Sequence, residues 1–399
     1  MPLHGLRAGG PVLDNPFILD DSAPTVPAVL APLSYGGAGV DYGLIDPLKV
    51  QAQRAAASTA RHLDAHGFSE VESSRGESAY VVDVGPFYLA SIVECLGSKV
   101  LVADAMEQLL GRGFYGGIAQ DTIAMAVNDL VTVGATPLVV QAYWAAGGSG
   151  WFENGERSRA LVEGWKRACD FCGIAWGGGE TPALAGIVAE GRIDLAAACT
   201  GIVSPKERLS LGERLGPGDA IVLLASSGIH ANGLSLARQL AERLPQGYLT
   251  SLPGSAVPVS YGEALLEPTL LYPPITEALH NAGVRPHYCA NITGHGWRKL
   301  MRHRAGLTYR IHTVPDVPAV LRFIQAEARL DDRSAYGTLN MGAGFAIFVA
   351  AEDAERAADV ARKAGVDAWV AGSVEAGPKR LLIEPLGLAY EGDELGLRA

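Results

Sequence analysis

The sequence predicts an α+β protein of two domains. Three observations carry this. At 399 residues the chain is too long for one ordinary hydrophobic core and suits two. Strand-like and helix-like segments alternate along it without the regular strand–helix–strand period of a doubly wound sheet. A composition shift at Ser204-Pro-Lys-Glu-Arg208 and Gly216-Pro-Gly-Asp219 then separates an N-terminal half, 34–205, from a C-terminal half, 206–399.

Residues 1–33 are rich in Pro, Gly and Ala with little periodicity, and read as an N-terminal arm. Order is expected from the segment Leu33-Ser-Tyr-Gly-Gly-Ala-Gly-Val-Asp41. Asp46 as a cap with Pro47 at the first helical position predicts a helix to about His66, stopped by Gly67. Strands over 80–83 and 88–93 flank the turn Gly85-Pro86. Glu94-Cys-Leu-Gly-Ser-Lys99 follows, then a helix over 100–110 ended near Gly111. In Ile118–Leu130, Ile123, Val127 and Leu130 recur at helical core spacing, and Gly134 ends the element. A strand over 137–145, a helix over 156–172, a glycine-rich loop over 176–182 and a long strand over 193–203 complete the first half. The second half predicts a strand at 220–225, a loop at 226–233 and a helix at 234–244, whose Leu234, Ala237, Leu240, Ala241 and Leu244 form one stripe. A mostly helical stretch over 262–282 comes next. Beyond the loop at 291–296 and the helix it leads into are a strand at 307–311, a helix near 317–329, a strand at 345–350, a helix at 352–364 and a last strand at 381–384.

A formal charge of −11 argues against nucleic acid and anionic membranes as partners, which want a basic face. It leaves room for a phosphorylated substrate, because a divalent cation supplies local positive charge. Mean hydropathy is +0.16, from abundant Ala, Val and Leu rather than from a membrane span. No secretory signal is evident at the N-terminus. Five cysteines without an even framework suit a reducing cytoplasm. Cys169 and Cys172 form a Cys-x-x-Cys with no second pair to complete a zinc site, and read as structural.

Four features carry chemistry. The first is the acid and amide set Glu94, Asp121, Asn128 and Asp129. Seven residues of helix bring Asn128 back to the face of Asp121, so polar groups line the inner side of a core helix. A hard cation with phosphate oxygens satisfies such groups, and so does a capping or interhelical hydrogen bond. The second is Gly177-Gly-Gly-Glu-Thr181, where glycines let backbone approach a ligand and Glu180 can serve a metal or act as a base. The third is Ser226-Ser-Gly-Ile-His-Ala-Asn-Gly233, ahead of a helix. The fourth is Asn291-Ile-Thr-Gly-His-Gly296, with Arg298 and Lys299 in the first turn of the helix that follows. A phosphate at that helix end explains basic residues that the dipole disfavours. Each also has a plain reading, as a turn, a cap, a solvated charge or a hydrogen-bonded loop histidine. Neither a Walker A sequence nor a dinucleotide-binding glycine fingerprint is present.

The order of these features resembles the aminoimidazole ribonucleotide synthetase (phosphoribosylformylglycinamidine cyclo-ligase) family, from about Leu33 to about Glu384. The matching stretches are 33–41, the helix segment Asp121–Leu130, Gly178-Gly-Glu-Thr181, 226–233, Leu266-x-Pro-Thr269, Ile292-Thr-Gly294 and Asn340-x-Gly-x-Gly344. The resemblance implies a two-domain ATP-binding α+β fold and a homodimer whose N-terminal domains pair strands. It implies ATP and Mg2+, and phosphorylation of a formyl or amide oxygen followed by attack of a nitrogen. It assigns cofactor contacts to Lys99, Asp121, Asn128, Gly178, Gly179, Glu180, Thr181, Ser227 and Asn232, and the metal to Glu94, Asp121 and Glu180. His230, Asn291 and His295 are its catalytic candidates. Three departures bear on the substrate. Glu94 stands where the family has Asp, Asn291 where it has His, and the family's Gly-Gly-Phe-Gly loop is not recognisable around Arg75–Ala79. His295 is the residue expected to replace the missing imidazole. A paralogue with another acceptor, and a nucleotide-binding dimer without turnover, are the competing expectations.

Overall fold

The computed structural model describes residues 32–34, 36–39 and 41–396. The expected arm lies outside the described residues except for its end, where the Leu33 side chain is buried and its N–H donates to Ala328 O at 3.1 Å. Helix α1 (Tyr42–Ala57) starts four residues before the expected cap. The side chain of Asp41, not of Asp46, accepts from the Gly43 N–H, so Pro47 falls inside the helix. A break at Ser58 and Thr59 then gives a 3-10 segment, Ala60–His66, closed by left-handed Gly67.

The first sheet runs β1 (Ser69–Glu70), β2 (Tyr80–Asp83) and β3 (Tyr88–Cys95), followed by helices α2 (Lys99–Leu110) and α3 (Tyr115–Leu130). It continues through β4 (Thr136–Ala146), helix α4 (Gly155–Cys172), β5 (Ala175–Glu180) and β6 (Ile193–Val203). Its order is β1-β2-β3-β6-β4-β5. The expected loop at 176–182 is therefore mostly edge strand, parallel to β4. Glycine at 179 is demanded there, because a Cβ would lie 2.0 Å from the Ala142 carbonyl oxygen. Trp176 also anchors β5, its ring 5.4 Å from that of Trp144 and 5.9 Å from that of Trp165.

The second sheet contains β7 (Ala220–Ala225), then helices α5 (Leu234–Arg243), α6 (Tyr261–Leu265) and α7 (Pro273–Asn281). Strands β8 (Tyr288–Asn291) and β9 (Leu307–Ile311), helices α8 (Ala319–Glu327) and α9 (Asp332–Tyr336), strand β10 (Ala343–Val349) and helix α10 (Ala354–Lys363) follow. Strands β11 (Ala368–Ala376), β12 (Arg380–Ile383) and β13 (Leu388–Glu391) end it, in the order β13-β12-β9-β11-β7-β10-β8. Strands β8, β11 and β13 are additions to the expected set.

Helix α3 is the hub. It packs on β3, β6 and α4, and also reaches β8 of the second sheet. Gly164 lets α4 come close, since a Cβ there would lie 2.4 Å from Gly116 O. The polar residues of α3 dock the second half. Asp121 Oδ1 accepts from Lys99 Nζ at 2.8 Å, from Thr269 N at 2.8 Å and from Thr269 Oγ1 at 2.5 Å. Lys99 Nζ also donates to Glu267 O at 2.9 Å, and Gln120 Nε2 donates to Thr269 O at 2.9 Å. Asn128 donates to Leu270 O at 2.8 Å and accepts from Tyr272 N at 2.9 Å. This explains why 266–272 interrupts the expected helical stretch 262–282. Its backbone groups are bonded to α3 side chains rather than to its own turns, and Pro268, Pro273 and Pro274 lack the donor that a helix interior needs.

The Lys99 and Asp121 side chains are both fully buried. Replacing Asp121 by Ala leaves an ammonium without its counter-charge, and should lower unfolding free energy by about 3–5 kcal/mol in urea titrations. Lys99→Met with Asp121→Leu should cost less than the single change, because no isolated charge remains.

Candidate functional site

A cleft of about 330 Å³ opens where the two sheets meet. Strand β3 ends at it with Glu94, and α3 ends at it with Asp129, next to Asn128 but turned toward the opening. The loop after β8 contributes Thr293, Gly294 and His295, and the 3-10 turn Gly296–Met301 contributes Lys299, followed by Arg302. Asn232 enters from the loop before α5, and Lys49 and Gln53 from α1.

Its electrostatics are those of an anion and cation site. Burial, then the nearby Asp129 charge, raise the Glu94 carboxyl to about 7. Burial, then Arg302, lower the Lys299 ammonium to about 8, against the pull of Asp129 and Glu94. Asn291 donates to Asp129 Oδ1 at 2.6 Å. Arg302 is held by Ser78 Oγ at 2.8 Å and Gly76 O at 2.9 Å, with Glu77 at 3.5 Å. His295 Nε2 lies 3.2 Å from Asp46 Oδ2. Burial and Lys299 lower the imidazole to about 4, so this contact is a hydrogen bond from a neutral ring rather than an ion pair.

The expected residues divide. Glu94, Asn232 and His295 line the cleft, and Asn291 adjoins it through Asp129. Lys99, Asp121 and Asn128 do not line it. Their polar groups bond to residues 267–272, and the Asp121 carboxylate, expected as a metal ligand, is wholly buried against Lys99 and Thr269 with its Oδ2 left without a partner. Gly178, Gly179, Glu180 and Thr181 are exposed along and just beyond β5, with β4 and β6 between that strand and β3. Strands are spaced about 4.8 Å apart, so within one chain Glu180 cannot share an ion with Glu94. Among the described residues no group of three His, Cys, Asp or Glu is placed to hold a metal.

His230, a catalytic candidate from the sequence, does not line this cleft. It sits at φ 59°, its Nε2 accepts from Ser227 N at 3.1 Å, and burial with the Lys99 charge lowers it to about 3. It is a neutral acceptor that shapes its own loop. Ser227 Oγ donates to Pro268 O at 2.6 Å, and Ser226 Oγ donates to Asn340 Oδ1 at 2.9 Å, so both hydroxyls are occupied by protein. Ser227 lines a different cavity, with Arg112 and Glu267. Arg298 is not an anion ligand at a helix end either. The element is a 3-10 turn, and the guanidinium donates to Gly337 O at 3.0 Å and Glu394 O at 2.9 Å.

Arg302 and Lys49 are cleft residues that the sequence reading does not single out, and Asp129 and Lys299, named within its motifs, have no role assigned by the resemblance. Their signal was weak but present. Asp129 lies 100° round the helix from Asn128, and Lys299 and Arg302 share a face of the short turn after Asn291.

The donor set is mixed in charge: two carboxylates, one with an elevated proton affinity, line the same polar opening as an ammonium and a guanidinium. Glu94→Gln tests the first of these. The Glu94 carboxyl rises from 4.5 to about 7, so the folded state holds its proton more tightly and stability falls as pH climbs through that interval. The variant should lose this slope and be about 1–3 kcal/mol more stable than the parent at pH 8, as read by urea unfolding at pH 5 and pH 8.

Comparison with known proteins agrees along most of the chain. Residues 76–203 match the model of the AIR synthase related protein, N-terminal domain, and residues 216–383 match that of the C-terminal domain. A phosphoribosylformylglycinamidine cyclo-ligase of Methanothermobacter thermautotrophicus is 36% identical over 330 residues, covering 82% of this chain and 91% of that protein. The cyclo-ligase of Methanocaldococcus jannaschii is 34% identical, covering 74% and 81%. Among solved structures, hydrogenase maturation protein HypE in complex with ATP superposes with a TM-score of 0.55 at 19% identity, over 77% of this chain and 84% of that one.

Proposed function

The chain belongs to the AIR synthase related family, and from that premise we propose that it is an ATP-dependent, Mg2+-requiring ligase. Its reaction phosphorylates an amide or formyl oxygen, and a nitrogen then displaces the phosphate. The simplest case is the one its cyclo-ligase relatives are named for, ring closure of formylglycinamidine ribonucleotide to aminoimidazole ribonucleotide. The observation that carries this reading is the Glu94 and Asp129 pair opposite Lys299 and Arg302 in one cleft. The fold is also one in which another protein holds ATP.

In this reading Glu94 and Asp129 hold Mg2+, which when bound offsets the charge of the phosphates. Asn291 fixes Asp129 by its 2.6 Å hydrogen bond to Oδ1, and Asp129 lines the cleft. Lys299, Arg302 and Lys49 bind phosphate oxygens and stabilise charge on the transferring group. His295 is neutral near pH 7 and orients through Asp46, so it positions substrate by hydrogen bonding rather than by charge. Asn291 cannot accept a proton as a histidine would. That departure, with Lys299 in the cleft, supports a second reading in which the same phosphorylation acts on another amide.

Coupled ADP formation separates the two. Turnover that requires formylglycinamidine ribonucleotide supports the cyclo-ligase, and turnover only with a different amide supports the second reading. In either case Asp129→Asn should lower kcat about 100-fold or more while the far-UV circular dichroism spectrum stays that of the parent. Turnover unaffected by that substitution overturns the metal assignment.

The proposed enzyme is a homodimer joined through the first sheet. The face of β3, β6 and β4 away from α3 carries Ser91, Val93, Thr200, Ala198 and Gln141 in register, with Asp194 the charged residue at its end on β6, and Val93 is 70% exposed. A second copy on this face would also give Gly178, Gly179, Glu180 and Thr181 a neighbour. Val93→Glu should convert the dimer to a monomer in light scattering coupled to size exclusion.

A further inference from the structure

A second cavity, of about 350 Å³, lies between the link that joins the two halves and the C-terminal end of α7. It shares no lining residue with the Glu94 cleft. Three arginines, Arg208, Arg214 and Arg285, line it together with His280, in a chain whose formal charge is −11. Glu207 is the one acidic residue in the lining.

The cations are unevenly compensated. Arg208 pairs with Glu277, which also accepts from Thr136 Oγ1 at 2.5 Å, yet Arg208 Nε is buried with no hydrogen-bond partner. Arg214 donates to three carbonyl oxygens, of Glu207, Leu209 and Pro286, and pairs with no carboxylate among the described residues. These bonds fix its position without neutralising it. Arg285 is exposed and makes no hydrogen bond or ion pair to a described residue through its side chain. The His280 imidazole likewise has no hydrogen-bond partner among the described residues. It is lowered to about 4 by burial first, then by Arg208 and Arg214, with Glu277 opposing.

From this cavity we propose a binding site for a small phosphate-bearing anion, formed by Arg208, Arg214, Arg285 and His280 and separate from the reaction centre. The exposed Arg285 fork is free to take two oxygens of a phosphate dianion, Arg208 and Arg214 add positive field although their terminal nitrogens are bonded to protein, and the volume leaves room for a small organic group against Val284 and Pro205. A carboxylate carries less charge to meet that field. The anion also opposes the arginine repulsion that adds to burial in keeping His280 neutral. Because Glu277, the partner of Arg208, also accepts from Thr136 of β4, the site sits where the first sheet, the link and α7 meet. The proposal does not depend on the reaction assigned above.

The test uses the full chain, titrated calorimetrically with inorganic phosphate and with sn-glycerol 3-phosphate, alongside Arg285→Ala and the cleft variant Lys299→Ala. Expected is a saturable site weakened about tenfold or more by Arg285→Ala and retained in Lys299→Ala. Tighter binding of the ester identifies a phosphorylated metabolite as the occupant, and equal binding identifies free phosphate. The His280 imidazole resonances should titrate about one unit higher with ligand present, a change that a purely structural arginine would not produce. Binding lost in Lys299→Ala but kept in Arg285→Ala, or no saturable binding at all, overturns the proposal.

Discussion

The hydrogen bonds between α3 and the strap at 266–272 are what hold the cleft together. Two charges and an amide are buried there in positions that are costly unless every partner is present. Lys99 supplies the counter-charge to Asp121, Thr269 supplies two further donors, and Asn128 caps the strap from both sides of its amide. Burial pushes the Asp121 carboxyl up, and the ammonium beside it opposes that push. One oxygen, Oδ2, remains buried without a partner. The second half of the chain is thereby fixed against the same helix whose end delivers Asp129. Glu94 and Asp129 come from the first half and Lys299 and Arg302 from the second, so the docking sets the distance between opposite charges in the cleft.

This also shows what could be read from sequence and what could not. The polar face of α3 was visible as an anomaly in an apolar helix. Whether it faced a cation or another segment depended on a partner more than 140 residues away, which periodicity does not report. Residues 176–182 read as a loop because glycine has little strand propensity. Pairing with β4 overrode that preference, and the close approach at Gly179 is the reason for the glycine. Asp46-Pro47 read as a helix start, but the cap at Asp41 won, and Asp46 was left free to meet His295. The strands expected over 80–83, 88–93 and 193–203 were legible because burial of one face imposes alternation, as the pattern of Ile193–Val203 shows. Motif order led to the family correctly. It assigned the metal to Asp121, whereas Asp129, of the same polar set, is the one that lines the cleft.

The cleft joins like charges on one wall and cations on the other, and neither wall is stable alone in water-poor surroundings. The elevated Glu94 carboxyl and the depressed Lys299 ammonium are two expressions of that arrangement, each displaced toward its neutral form by burial. A ligand carrying both a divalent cation and phosphate oxygens would relieve both displacements at once. Asn291 fits the same logic, since an amide can hold Asp129 without adding a second titrating group beside it.

Helix α1 has a consequence of a different kind. None of its described residues is buried, yet Lys49 and Gln53 form one wall of the cleft, and Asp46 reaches His295. The helix is followed by a break before the 3-10 segment. A segment with so little apolar burial undocks at a small fraction of the free energy needed to unfold the sheets. The wall formed by Lys49 and Gln53 is therefore the part of the cleft whose loss costs the chain least.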